Sequence, residues 1–289
     1  MAKPFLKWAG GKTQLLAAFE ELFPSRVERY LEPFVGSGAV FFRVRDLHEP
    51  RAVVLSDNNE ELIDAFCAIR DDVDGVIEKL CKHKAAHDKE HFYRVRVQKP
   101  RAATARAARL IYLNRTCFNG LYRVNSRGSF NVPFGRYEKP KILDEGNLRA
   151  VAEALRGAEL LVSHFRETPG IARRGDFVYF DPPYHPLSTT ANFTSYTRGS
   201  FGPDDQEELA SVYAKLDSMG CRVMLSNSDT SFVRDLYRGF HVRTVLASRR
   251  INSRADRRGP VREVVVLNYE PQAVATAVPR AGARRARRV

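Results

Sequence analysis

The sequence predicts an α/β fold, a mostly parallel sheet covered by helices and interrupted by an inserted lobe, and three observations point to it. First, short apolar runs recur at Arg29–Leu31, Ala52–Leu55, Leu160–Val162, Phe177–Phe180 and Val223–Leu225. Each has the length of a strand buried on both faces, and the segments between them carry helical periodicity. Second, His241–Ala247 and Arg262–Tyr269 are strand-like and joined by the basic, Gly-Pro-containing stretch Arg250–Pro260. That pattern suits an antiparallel hairpin at the sheet edge. Third, Asn59–Arg115 is rich in helix-forming and charged residues, whereas Phe118–Tyr137 alternates aromatic residues with Gly, Asn and Arg. This middle reads as a mainly helical lobe carrying a β-hairpin. Asn125-Ser126-Arg127-Gly128 is its turn, with Gly128 free to take positive φ and with Arg123 and Arg127 near the tip. The boundaries follow: residues 1–58 and 159–272 form the sheet unit, 59–158 the insertion, and 273–289 a basic tail.

Composition narrows the partners. The 289 residues, 44% of them hydrophobic, suit one α/β domain with an insertion. A net charge of +13 points to a polyanion, because Lys and Arg gain affinity by neutralising phosphates. Part of that charge sits in Pro279–Val289, which has almost no apolar residue to anchor it and is expected to be disordered. Cys67, Cys81, Cys117 and Cys221 are scattered without a CxxC pair. That spacing argues against a zinc site or a disulfide framework and for a reducing compartment, the cytoplasm by default. The beginning of the chain lacks a charged-then-apolar leader, and no run of about 18 apolar residues occurs, so neither secretion nor membrane insertion is expected.

Two motifs converge on one chemistry. Glu32-Pro33-Phe34-Val35-Gly36-Ser37-Gly38 follows an apolar run and precedes a helix start. Gly36 and Gly38 let the backbone approach a nucleoside ligand at a strand's carboxyl end, although an ordinary strand-to-helix turn has the same look. Asp57 ends the next strand, about 20 residues on, where a carboxylate binds ribose hydroxyls; beside Asn58 it could equally cap a helix. The third Gly of a dinucleotide fingerprint is missing, which favours a ligand without pyrophosphate, such as an adenosine-containing methyl donor.

The second motif, Asp181-Pro182-Pro183-Tyr184, follows Phe177–Phe180 directly. Two prolines cannot continue a central strand, so the chain turns out at the carboxyl end, above the crevice that the Gly loop borders. An adenine amine is a poor nucleophile because its lone pair is conjugated with the ring. Acceptors for its hydrogens, here the Asp181 carboxylate and the Pro182 carbonyl, turn that pair toward an electrophilic methyl, while Tyr184 stacks on the base. Alone, Asp181 could also be a turn or metal-binding carboxylate. A third segment, Phe5-Leu6-Lys7-Trp8-Ala9-Gly10-Gly11-Lys12-Thr13, fails as a P-loop because Leu6 stands where the first Gly is required. Gly10, Gly11 and Lys12 can still form a turn that accepts an anion such as the donor's carboxylate. His83, His87 and His91 recur every four residues, and the surrounding charges make them a solvated helix face rather than a metal site. Cys117 reads as a buried small residue.

With these segments in place the chain strongly resembles the Dam-type (D12 class) DNA adenine-N6 methyltransferases. The resemblance is carried also by Asn119-Gly120-Leu121, Phe130 through Tyr137 and Ala191-Asn192-Phe193. It implies a Rossmann-like, S-adenosylmethionine-dependent methyltransferase fold in which Trp8 and Lys12 line the donor pocket with Gly36 and Gly38. Asp57 then binds the ribose, and Asp181 sits between donor and target amine, with Pro182 and Tyr184. It implies that the insertion is the target-recognition lobe, with Asn119, Leu121, Arg123 and Pro133 meeting double-stranded DNA. Arg123 would read guanine and Leu121 would wedge at the vacated base position. GATC is the implied site. No metal is expected, the enzyme is expected to be monomeric and bacterial or phage-encoded, and a cognate restriction enzyme is a potential partner. Two rivals remain open at this point: an amino methyltransferase acting on RNA or protein, and a non-catalytic DNA-binding protein.

Overall fold

Seven strands form one sheet in the order β3-β2-β1-β4-β5-β7-β6. β1 (Arg29–Glu32), β2 (Ala52–Asp57), β3 (Glu159–Val162), β4 (Phe177–Phe180) and β5 (Arg222–Ser228) run parallel. β6 (His241–Ala247) and β7 (Val261–Leu267) close one edge as an antiparallel pair, with β7 against β5. The computed structural model describes residues 1–186, 201–247 and 261–271. Ala191–Phe193, the Arg250–Pro260 connection and the 273–289 tail lie outside them.

Alternate residues of each strand enter opposite faces of the sheet, as a pleated backbone requires. Tyr30, Val53, Leu55, Phe177 and Tyr179 feed one core; Leu31, Val54, Val178 and Phe180 feed the other. α1 (Leu16–Glu20) and α2 (Ala39–His48) cover the first face, and α8 (Thr168–Ile171), α9 (Pro203–Ser218) and α10 (Ser231–Leu236) lie on the second side of the sheet. This is the Rossmann-like arrangement the sequence led us to expect. The apolar runs marked β1, β2, β4 and β5 because strands buried on both faces read as continuous hydrophobic stretches, whereas β3, at the sheet edge, is only partly buried. β2 and β5 extend beyond those runs, to Asp57 and Ser228, with polar residues at their carboxyl ends.

Between β2 and β3 the chain forms α3 (Glu60–Asp71), α4 (Val73–Ala85), α5 (Lys89–Val97), α6 (Ala103–Thr116) and α7 (Glu145–Ala154). Their starts are set locally. Asn59, Asp72, Asp88 and Asp144 each accept a backbone N–H of the first turn, at α3, α4, α5 and α7. α3 lies against β2 and β3, so the core of this helical segment is continuous with one face of the sheet. The three histidines do not share a helix face. α4 ends before His87, and Asp88 starts α5, which folds the segment back so that all three rings gather around Tyr112. His83 Nδ1 lies 3.0 Å from His91 Nε2, and His87 Nδ1 3.0 Å from the Tyr112 hydroxyl. The expected solvated face is therefore a half-buried cluster, because an aromatic ring from α6 outweighs the neighbouring lysines. Among the described residues no helix is long and apolar enough to cross a membrane.

Candidate active site

Strand order reverses direction between β1 and β4, and open α/β sheets bind ligands outside the carboxyl ends of the strands at such a point. The loop after β1 is Pro33–Gly38, and the loop after β4 begins with Asp181. Between them opens a cleft of about 560 Å³, bordered by Trp8, Lys12, Phe34, Gly36, Asp57, Asp181 and Tyr184 among others. Every donor-pocket and catalytic residue singled out from the sequence except Gly38 borders it. Gly38 lies just behind, at φ 71°, where a Cβ would come 3.2 Å from Phe42. Gly36 has φ 47°, and a Cβ there would meet Trp8 at 3.0 Å. Both positions need glycine on conformation and space together.

Asp57 ties the Gly loop to the end of β2. Its carboxylate accepts the N–H of Gly36 at 3.2 Å and that of Asn59 at 3.0 Å. The cap of α3 is Asn59, not Asp57, which leaves Asp57 to the cleft. Burial pushes the Asp57 carboxyl up, and these backbone N–H groups pull it back toward the ionised form.

Asp181 is held from two sides. Its Oδ1 receives the Lys12 ammonium at 2.7 Å and the Ser226 hydroxyl at 3.0 Å, and Ser226 is in turn 2.8 Å from the Tyr179 hydroxyl. About a fifth of its side chain remains open to the cleft. Both partners meet Oδ1, so among the described residues Oδ2 carries no hydrogen bond. Burial raises the Asp181 carboxyl above its ordinary range, opposed by Lys12 and Ser226. Lys12 also donates to the Gly10 carbonyl at 2.5 Å and lies 4.6 Å from the centre of the Tyr184 ring. Its ammonium is thus shared with the Asp181 corner rather than presented alone to an anion. The Tyr184 hydroxyl donates to Glu263 at 2.6 Å, which fixes the ring's far end; burial and the nearby Asp181 and Glu263 keep that phenol protonated.

Three features escaped the sequence reading. Phe34 stacks on Phe165 at 5.6 Å and meets Phe201 edge-on at 5.8 Å, giving the cleft an aromatic wall drawn from three separate loops. Glu32 lies buried beneath the cleft and accepts the Tyr30 hydroxyl at 2.9 Å; burial holds its carboxyl well above the usual range. Trp8 stacks on Tyr122 at 5.1 Å, and the Tyr122 hydroxyl donates to Glu61 at 2.8 Å. Tyr30 and Glu32 stand two apart on β1, but the other partners come from distant segments that no sequence spacing links. A second cleft, beside the ends of α3 and α7, holds Arg70, Arg149 and Arg156, each paired with a neighbouring acid. It has the look of a charged surface seam rather than a reaction site.

The hairpin segment 117–137 is present in minimal form. Single antiparallel bridges join Cys117 to Phe134 and Val124 to Phe130, and Gly128 closes the turn at φ 71°. Asn119, Leu121, Arg123 and Pro133 are all exposed, as is Phe118. Arg123 Nε donates to Asn131 Oδ1 across the hairpin at 2.8 Å. Cys117 is buried, and its thiol reaches the Leu121 carbonyl at 3.2 Å, so it shapes the turn.

The cleft's donor set fits an adenosine-bearing cation: aromatic walls, a backbone brought close by glycines, and the carboxylates of Asp57 and Asp181. Comparison with known proteins agrees. The family model described as D12 class N6 adenine-specific DNA methyltransferase matches residues 8–251. The Type II methyltransferase M.MjaIII of Methanocaldococcus jannaschii is 43% identical over 286 residues, covering 92% of this chain and 99% of that protein. The Type II methyltransferase M1.LlaDCHI of Lactococcus lactis subsp. cremoris is 40% identical, with 92% and 95% covered. The DNA adenine methylase of Escherichia coli is 35% identical, with 95% and 98% covered. A match over most of the chain, with the Gly loop, Asp57 and the Asp181 loop gathered in one cleft, makes this chain a member of the D12 class N6 adenine-specific DNA methyltransferase family.

Proposed function

We propose that the chain methylates N6 of an adenine turned out of duplex DNA, within GATC, as a site-specific adenine methyltransferase. The observation that carries this is the Asp181 corner at the β1/β4 switch. Oδ1 is engaged by Lys12 and Ser226, which leaves Oδ2 and the Pro182 carbonyl as acceptors for the two N6 hydrogens. Held by both, the amine presents its lone pair away from the base plane. Tyr184 offers a stacking face that offsets part of the stacking lost on extrusion, roughly 1 to 3 kcal/mol. S-adenosylmethionine supplies an electrophilic methyl when bound. Trp8, Lys12, Gly36, Asp57 and Asp181 are the residues that would hold it, with Gly38 shaping the loop behind them, and no metal has a role in this reading.

The segment 59–158 is the DNA-recognition part, with residues 1–58 and 159–272 as the catalytic part. Asn119, Leu121, Arg123 and Pro133 support that reading by being exposed together on one hairpin. Phe118, half exposed beside Leu121, is a further candidate to fill the space an extruded base leaves. The basic 273–289 tail adds sequence-independent attraction to phosphates. A monomer acting in the cytoplasm suffices for one adenine at a time, and the Type II methyltransferase names of two relatives make a cognate restriction enzyme a reasonable partner. Tritium transfer from labelled donor to duplexes with GATC or a scrambled site tests the whole. Label is expected on adenine N6 in the GATC duplex alone, falling about 10²- to 10³-fold in Asp181→Ala. Equal labelling of both duplexes would reject GATC, and no labelling of either would reject the function.

A further inference from the structure

The loop that carries Asp181 and Tyr184 has little means of holding itself. Pro182 and Pro183 lack the N–H groups with which a loop builds its own hydrogen bonds, so its conformation must be imposed from outside. The last three residues of β5 and one residue of α9 impose it. Gln206 Nε2 donates to the Pro183 carbonyl at 2.9 Å, and the His185 N–H donates to Asn227 Oδ1 at 3.1 Å. The two amides are joined to each other, Asn227 Nδ2 to Gln206 Oε1, at 2.9 Å. Ser228 Oγ donates to the His185 carbonyl at 2.6 Å. The backbone groups on either side of Tyr184 are therefore gripped by one linked amide pair.

Both side chains are buried, Gln206 at 1% exposed and Asn227 at 0%. Amides in an interior are costly unless their hydrogen bonds are met, and apolar residues of similar size would fill the same volume at lower cost. Here each polar atom of the pair is used, and two of the bonds go to the loop. We propose that Gln206 and Asn227 are positioning residues for methyl transfer. They set where the Tyr184 ring and the Pro182 carbonyl stand, and so act on the docked base rather than on the methyl donor. This inference rests on the adenine-methylation reading of the site.

Gln206→Glu and Gln206→Leu test it in the full-length enzyme, by single-turnover methylation of a GATC duplex. S-adenosylhomocysteine affinity by calorimetry and thermal unfolding are followed alongside. Glu keeps the size and still accepts from Asn227, but once ionised it turns an oxygen on the Pro183 carbonyl. Expected is a rate roughly 10- to 100-fold below wild type at alkaline pH, with S-adenosylhomocysteine affinity within about two-fold. The deficit shrinks as pH falls, because the protonated carboxyl regains a donor for Pro183. Gln206→Leu has no such recovery. With 2-aminopurine at the target position, both variants give a brighter complex, since stacking on Tyr184 is what quenches the probe. A wild-type rate in folded Gln206→Leu, a pH-independent deficit in Gln206→Glu, or donor affinity falling in step with rate each overturns the proposal. Should Gln206→Leu not fold, the isosteric Gln206→Glu decides alone. Absence of adenine methylation by the wild type is a different outcome, which removes the function rather than this device.

Discussion

The crevice and the hairpin are built on opposite principles. In the crevice, Lys12 is 4% exposed, and Lys12, Ser226 and Asp181 Oδ1 each meet two polar groups, drawn from the Gly10 turn and from β4 and β5. In the hairpin, the residues expected to meet DNA are exposed, the pairing is two isolated bridges, and Arg123 is held by one neighbour, Asn131. Methyl transfer needs acceptors fixed in advance, because any reorganisation adds to the barrier. Reading a base sequence needs side chains that can leave their resting contacts for new ones, and two exposed hydrogen bonds to one neighbour, each worth about 0.5 to 1.5 kcal/mol, are cheap to exchange. The two regions meet where Tyr122 of the hairpin stacks on Trp8 of the cleft wall.

If this contrast is right, mutations in the crevice cost more than mutations in the hairpin and cost it in a different quantity. Asp57→Ala leaves the Gly36 and Asn59 N–H groups without their acceptor and removes the proposed ribose ligand. Calorimetry with S-adenosylhomocysteine should show affinity falling by about 2 to 3 kcal/mol, roughly 30- to 150-fold, with DNA affinity nearly unchanged. Unchanged donor affinity would leave Asp57 as a purely structural link between β2 and the Gly loop.

Arg123→Ala should act in the other direction. Methylation of GATC duplexes is compared with duplexes altered at the guanine, and discrimination is expected to drop by about 1 to 2 kcal/mol, roughly 5- to 30-fold, while donor affinity holds. A uniform loss across all duplexes would make Arg123 a phosphate contact instead, with a smaller salt slope as its sign.

Much of the crevice was legible in the sequence because its parts are short and chemically unusual: glycines after an apolar run, and an acid followed by two prolines. The strands were legible for the reason that buried parallel strands are apolar throughout. The polar end of β5 was not. Ser226, Asn227 and Ser228 resemble any loop residues in sequence, and only the pairing of β5 with β4 brings them beneath the Asp181 loop. The aromatic wall of Phe34, Phe165 and Phe201 was hidden because its members come from three distant segments. The histidine cluster was misread because a period of four residues was taken as one helix, whereas Asp88 starts a new one. The Ala191-Asn192-Phe193 motif and the tail fall outside the described residues.

That histidine cluster offers the smallest and most local test of the contrast. It packs beneath the hairpin, where His87 lies 5.8 Å from the Phe134 ring, and His83 is stacked on Tyr112 at 4.8 Å. Burial, with a smaller contribution from His91, lowers the His83 imidazole to about 4. The folded chain therefore keeps His83 neutral between about pH 6.5 and 4, while the unfolded chain takes up a proton there. More protons bound in the unfolded state means stability rises with pH across this window and is lost as pH falls through it. His83→Gln keeps a polar side chain but cannot titrate. Its melting temperature should fall less than that of the wild type on acidification from pH 6.5 to 4, by a difference of about 2 to 4 °C. Methylation at pH 7.5 should be unaffected, since His83 is mostly neutral there in both the folded and the unfolded chain. Parallel melting curves for the two proteins across that range would show that the cluster's rings tolerate charge, and that the floor of the hairpin is as open to water as its tip.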